Sequence, residues 1–215
     1  MRDVEKAAGF LNLFADNVSA GMDVEPIAWI RENVIDQQSA RSTHIDFTLS
    51  PFLLEPIDKF LNDGTVRHIN LMAPTGSGKS TLFVGLLNYL IANDAGNTLV
   101  AFQNEQETSD FAETRLFPTF RDNKALKNLL PKKRHASRKT EILFPHMNLW
   151  MVSATKGQLQ SKSCRYLIGD EMWAWEKGMV REFLARHHDR FNRKILMVSQ
   201  GGDKGTDWVD EYGKG

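Results

Sequence analysis

The stretch Ala73-Pro74-Thr75-Gly76-Ser77-Gly78-Lys79-Ser80-Thr81 constrains this chain more than any other. It follows a short apolar segment, Val66–Met72, and precedes Leu82–Ile91, whose composition is helical. A strand that turns through two glycines into a helix creates a concavity lined by backbone N–H groups. The helix N-terminus adds partial positive charge beneath it, so the natural occupant is a phosphate. Each residue then has an expected task. Lys79 reaches the β- and γ-phosphates as a point charge. The Ser80 hydroxyl is the expected magnesium ligand. Pro74, Thr75, Gly76, Ser77, Gly78 and Thr81 complete a P-loop, with Ala73 where a first glycine is usual.

A second element fits the first. Tyr166-Leu167-Ile168-Gly169 reads as a buried strand that ends in Asp170-Glu171. In open α/β sheets, ligands sit beyond the carboxyl ends of the strands. The expectation is that Asp170 holds magnesium through water and Glu171 polarises the water that attacks ATP. Arg193–Val198 is a further strand, and it ends in Ser199-Gln200, which are expected to sense the γ-phosphate.

Between these motifs the hydrophobic period alternates. Helical stretches at Pro51–Asn62, Leu82–Ile91, Ser109–Phe120 and Glu176–His187 separate strands at Val66–Met72, Thr98–Phe102, Tyr166–Gly169 and Ile195–Val198. Ile142–Phe144 and Leu149–Val152 read as a hairpin around Pro145-His146. The pattern predicts an α/β fold: a P-loop NTPase of ASCE, RecA-like type, with a mainly parallel sheet and helices on both faces. Residues 1–40 read as a small helical N-terminal appendage, with helices at 3–20 and after Asp23; residues 41–215 form the ATPase domain.

Composition excludes little beyond this. Lys plus Arg is 27 and Asp plus Glu is 27, so no global charge favours a nucleic-acid partner. Cys164 is the single cysteine, which rules out an intrachain disulfide; it reads as a small buried apolar residue. The N-terminus lacks a signal-peptide layout and the apolar runs are short of a membrane span, so the expected setting is intracellular, without a membrane partner.

Four stretches carry a more specific likeness. They are Pro51-Phe52-Leu53-Leu54-Glu55-Pro56, the run from Arg115-Leu116-Phe117-Pro118 to Arg121-Asp122-Asn123-Lys124-Ala125-Leu126, Leu159–Leu167 leading into Asp170-Glu171, and Phe191–Ile195 ahead of Ser199. From about residue 40 onward the chain resembles the N-terminal ATPase part of a tailed-phage terminase large subunit of the lambda-like GpA family. That resemblance implies an ATP- and magnesium-dependent motor that packages viral double-stranded DNA into procapsids in the host cytoplasm. Its partners would be the small terminase subunit and the portal, and its active form a ring of subunits. The family's C-terminal nuclease domain has no room after Ser199, so nuclease activity is not expected in this chain. The family often reads Ser-Thr-Pro where this chain has Ser199-Gln200-Gly201-Gly202. Two rival readings are a helicase-like nucleic-acid-dependent ATPase and a truncated nucleotide-binding module that does not hydrolyse.

Weaker signals complete the reading. Related motors use an arginine finger, in cis or from the next subunit, and Arg165, beside the acidic strand, is the foremost candidate ahead of Lys162, Arg190 and Arg193. Lys132, Lys133, Arg134, Arg138 and Lys139 form a basic cluster suited either to a DNA backbone or to a solvated loop. Trp173 and Trp175 read as packing residues rather than gates, and Phe52 as a hydrophobic staple. The histidines show no metal-ligand spacing.

Overall fold

The apolar segments named above converge as the strands of one sheet. The computed structural model describes residues 24–36, 44–131, 140–187 and 192–214. Among them, six strands form a sheet in the order β1-β6-β5-β2-β4-β3. The strands are β1 (His68–Met72), β2 (Thr98–Phe102), β3 (Glu141–Leu143), β4 (Asn148–Ser153), β5 (Tyr166–Gly169) and β6 (Lys194–Ser199). All neighbouring pairs are parallel except the β3–β4 hairpin at the edge.

The central strands β2 and β5 are buried along their whole length. This explains why they read as continuous apolar runs rather than alternating ones. Alternate residues feed opposite faces. From β2, Val100 and Phe102 enter the larger core, while Leu99 and Ala101 enter the second. The larger core is covered by α1 (Pro26–Asn33), α2 (Leu54–Leu61), α3 (Lys79–Asn93) and a helical run over residues 105–122. That run comprises α4 (Glu105–Asp110), a π-helical segment (Phe111–Leu116) and α5 (Phe117–Asp122). The opposite core is covered by α6 (Lys156–Leu159), α7 (Met179–Leu184) and α8 (Asp207–Tyr212), with Trp208 fully buried beneath them.

Helix α3 is the axis of the larger core. It is apolar nearly all round, as a helix enclosed on every side must be. A β-carbon built on Gly85 would lie 3.1 Å from Ile30 Cγ2, so α1 packs backbone-close against α3. Ile30 and Val34 are fully buried in the same core. Residues 26–34, the described part of the expected 1–40 segment together with 24, 25, 35 and 36, therefore form a layer over the P-loop helix. Glu25, rather than Asp23, caps α1, its carboxylate accepting the Ile27 N–H at 3.1 Å. Asp23 and the helix expected over residues 3–20 lie outside the described residues.

One polar network sits inside this apolar layer. Asn88 donates to Val84 O at 2.9 Å and to Thr119 Oγ1 at 3.0 Å, and accepts from Asn123 Nδ2 at 3.0 Å. All three side chains are buried, so the bonds tie α3 to the end of α5. Asn88→Ala leaves the Asn123 amide without its acceptor in a dry site. A cost of roughly 2–4 kcal/mol is expected from one orphaned buried donor plus the cavity. Thermal denaturation should show Tm lowered by about 5–15 °C, on the usual conversion for a domain of this size. A Tm within a degree of the parent would show that the network carries no stability.

Candidate functional site

The P-loop joins β1 to α3 at the carboxyl edge of the sheet, and the Asp170-Glu171 pair leaves β5 at the same edge. Strand β6 lies between them and delivers Ser199 and Gln200 to the gap. Gly76 (φ 77°) and Gly78 (φ 89°) adopt the left-handed conformation that turns the loop. Ala73 is buried and shows no positive φ, and its N–H donates to Ser199 O at 2.9 Å. Glycine is therefore not required at that position.

Lys79 is nearly buried and its ammonium is held from three directions. It donates to Ala73 O at 3.1 Å and Pro74 O at 3.2 Å, and pairs with Glu171 Oε1 at 3.1 Å. Glu171 itself has φ 46°, the left-handed region, which costs a side-chain-bearing residue about 1–2 kcal/mol. Its other oxygen, Oε2, accepts from Trp173 Nε1 at 2.8 Å. Trp173 in turn donates its backbone N–H to Ser199 Oγ at 3.1 Å. Lys79, Glu171, Trp173, Ser199 and Ala73 thus close a ring of hydrogen bonds around the mouth of the loop. Gln200 adds a further tie, accepting from Thr75 Oγ1 at 3.1 Å.

Asp170 is fixed through its backbone, which donates to Ala101 O and accepts from Trp175 Nε1, each at 2.9 Å. Its Oδ1 is buried and accepts no hydrogen bond. Burial pushes its carboxyl up to about 7, and the Glu171 charge acts in the same direction against the Lys79 ammonium. A buried carboxylate oxygen with spare lone pairs, at the sheet edge from which the loop and α3 also start, suits a hard, oxygen-seeking cation such as magnesium. Among the described residues no cluster of three or more His, Cys, Asp or Glu offers another metal site.

The remaining sequence-based candidates divide clearly. Arg165 is not brought to this site. It precedes β5 while Asp170 follows it, roughly 15 Å apart at the usual rise per strand residue. There it forms a bidentate pair with Asp94 at 2.7 and 3.0 Å and lies 4.7 Å from the Tyr166 ring centroid. These contacts clamp it at the edge of the sheet opposite the loop, away from this chain's own Asp170. Lys162 donates to Gln158 O at the exposed end of α6, and Arg193 lies exposed ahead of β6. Arg190, Lys132, Lys133, Arg134, Arg138 and Lys139 lie outside the described residues.

The paired tryptophans separate in the structure. Trp175 packs edge-on against Phe183, as a core residue does. Trp173 is 39% exposed and bonded to Glu171, which its sequence reading as a packing residue did not foresee. Phe52 is also exposed, at 48%, so it is not a staple; Leu53 fills the buried position instead.

A P-loop strand separated from an acidic strand by one parallel strand, with the acids and loop at one edge, defines an ASCE-type P-loop NTPase. The family described as phage terminase large subunit gpA, ATPase domain, matches residues 39–214, and the chain belongs to it. The HK97 bacteriophage large terminase superposes with a TM-score of 0.71 at 17% identity, covering 87% of this chain and 39% of that one. The UvsW helicase from bacteriophage T4 superposes at TM-score 0.56 and 16% identity, covering 95% and 73%. A large terminase from a thermophilic bacteriophage gives 0.51 at 11%, covering 77% and 42%. Likenesses at such low identity concern the fold alone, and this chain spans less than half of both terminases. No curated protein gives a significant match. Among the described residues no helix is long and apolar enough to cross a membrane.

The loop geometry carries its own test. A β-carbon on Gly78 would lie 3.1 Å from Leu53 Cδ1 and 3.3 Å from Ser50 Oγ, at a φ that side chains disfavour. Gly78→Ala should weaken ATP binding at least tenfold in calorimetry. Gly157→Ala, which meets nothing within 4 Å, should leave it unchanged. Equal affinities for both variants would mean that the loop does not form the nucleotide cradle.

Proposed function

We propose that this chain binds ATP with magnesium and hydrolyses it as the motor domain of a phage terminase large subunit, driving viral double-stranded DNA into procapsids. One observation carries the reading: the Lys79 ammonium and the Glu171 carboxylate meet at 3.1 Å over the mouth of a glycine-turned, helix-heading loop. Family membership supports an ATPase; hydrolysis by this chain and its coupling to DNA are the proposal.

The chemistry follows from the residues. The N–H groups of Pro74–Thr81, proline excepted, bind phosphate oxygens, and Lys79 neutralises charge on the β- and γ-phosphates. Ser80 and Asp170 would hold magnesium, whose role when bound is to offset charge on those phosphates. Glu171 accepts a proton from the water whose oxygen bonds to the γ-phosphorus. The P–O bond to the β-phosphate breaks, leaving ADP and inorganic phosphate. Ser199 and Gln200 lie between loop and acids, which supports a sensor role. The basic cluster Lys132, Lys133, Arg134, Arg138 and Lys139 is proposed to contact DNA through phosphates, so its contribution should fall as salt rises. The small terminase subunit, portal and homo-oligomeric ring are partners that the family implies.

The test is ATP hydrolysis by the purified chain with and without linear double-stranded DNA. Turnover should require magnesium, rise with DNA, and fall at least a hundredfold in Glu171→Gln, the scale of a lost general base. Lys79→Ala should lose nucleotide binding itself. Parental turnover in both variants would refute the site. Tight binding without turnover in the parent would favour a nucleotide-binding assembly module.

A further inference from the structure

We infer that Trp173 is a positioning residue for the reaction: its indole N–H orients the Glu171 carboxylate. The inference rests on the reading of Glu171 as the water-activating base. A glutamate side chain ends in a torsion with a broad, nearly flat energy profile, so its carboxylate plane is not fixed by its rotamer. Here two donors fix it. Lys79 takes Oε1 at 3.1 Å and the Trp173 indole takes Oε2 at 2.8 Å. The two differ in kind. Lys79 is charged and is also the residue expected to serve phosphate. Indole is a neutral donor that cannot accept, so it holds one carboxylate oxygen without competing for the phosphate.

The indole is itself held. Trp173 lies in the 3₁₀ turn Met172–Ala174, directly after Glu171. Its backbone N–H is anchored on Ser199 Oγ at the end of β6, and Ser199 is fully buried. A β-carbon on Gly202 would lie 3.1 Å from Trp173 Cβ, so the chain after β6 presses directly on this residue. Trp173 therefore links the end of β6 to the carboxylate through one rigid side chain. A packing role does not account for its place, since 39% of the residue is exposed while Trp208 nearby is wholly buried.

The experiment compares Trp173→Phe, which keeps a ring and removes the N–H, with Glu171→Gln and the double variant. Single-turnover ATP cleavage and nucleotide affinity are measured alongside the indole N–H resonances of the free protein. Trp173→Phe should lower the cleavage rate about tenfold, the scale of a displaced catalytic group, with ATP affinity and Tm unchanged. In the Glu171→Gln background it should cause no further loss. The Trp173 indole resonance, assigned by its absence from Trp173→Phe, should move in Glu171→Gln. A parental rate in Trp173→Phe, a loss that multiplies with Glu171→Gln, or an indole resonance indifferent to that change would overturn the inference. Parental cleavage by Glu171→Gln, or no cleavage by the parent chain, would instead overturn the reading of Glu171 on which it rests.

Discussion

The contact between Lys79 and Glu171 joins two motifs that lie 92 residues apart in sequence (171 minus 79) and on non-adjacent strands. An ammonium that is nine-tenths buried is stable only where acceptors and an opposite charge meet it. Here the loop's own carbonyls and the Glu171 carboxylate supply that match. The same contact sets the geometry of everything around it. It needs the loop folded back over its helix, Glu171 in a left-handed conformation, and the two strand ends at one height. Trp173 and Ser199 then return the ring to Ala73 and lock the arrangement from the other side.

Sheet order makes that ring closable. Neighbouring strands stand about 4.8 Å apart, so two intervals place β1 and β5 roughly 10 Å apart. That gap suits a long lysine reaching from one side and a glutamate from the other. It also leaves room for the polar end of β6, which touches both. Were β1 and β5 direct neighbours, Ser199 and Gln200 would have no place between loop and acids. The fold thus gives one strand access to both halves of the site, the physical requirement for a sensor. The helices contribute rigidity: α3 is enclosed by α1, and its buried Asn88 network ties it to α5.

Much of this was legible in the residues. The bounds of β2 and β5 coincide with their apolar runs because both strands are buried on two faces, where a continuous run is the only signal needed. The P-loop was legible because glycine, lysine and serine at that spacing leave few other structures. What escaped depends on contacts that sequence order does not encode. Arg165 looked close to Asp170, but a strand of four residues carries its two ends to opposite edges of the sheet. The α1 segment looked detached because Gly85, the feature that admits it, lies in another helix. Helix α8 is short and polar, and only Trp208 marks its buried face. Trp173 was hidden for a similar reason: two tryptophans two residues apart read alike until a 3₁₀ turn points them to different neighbours.

The central claim is that the loop, Lys79 and the acidic pair form one metal–nucleotide site. Calorimetric titration of ATP, with magnesium and with a chelator, tests it most directly. The account predicts that magnesium tightens ATP binding at least tenfold in the parent and that Asp170→Asn loses this gain while remaining folded. Equal affinity with and without magnesium, or an undiminished gain in Asp170→Asn, would contradict it.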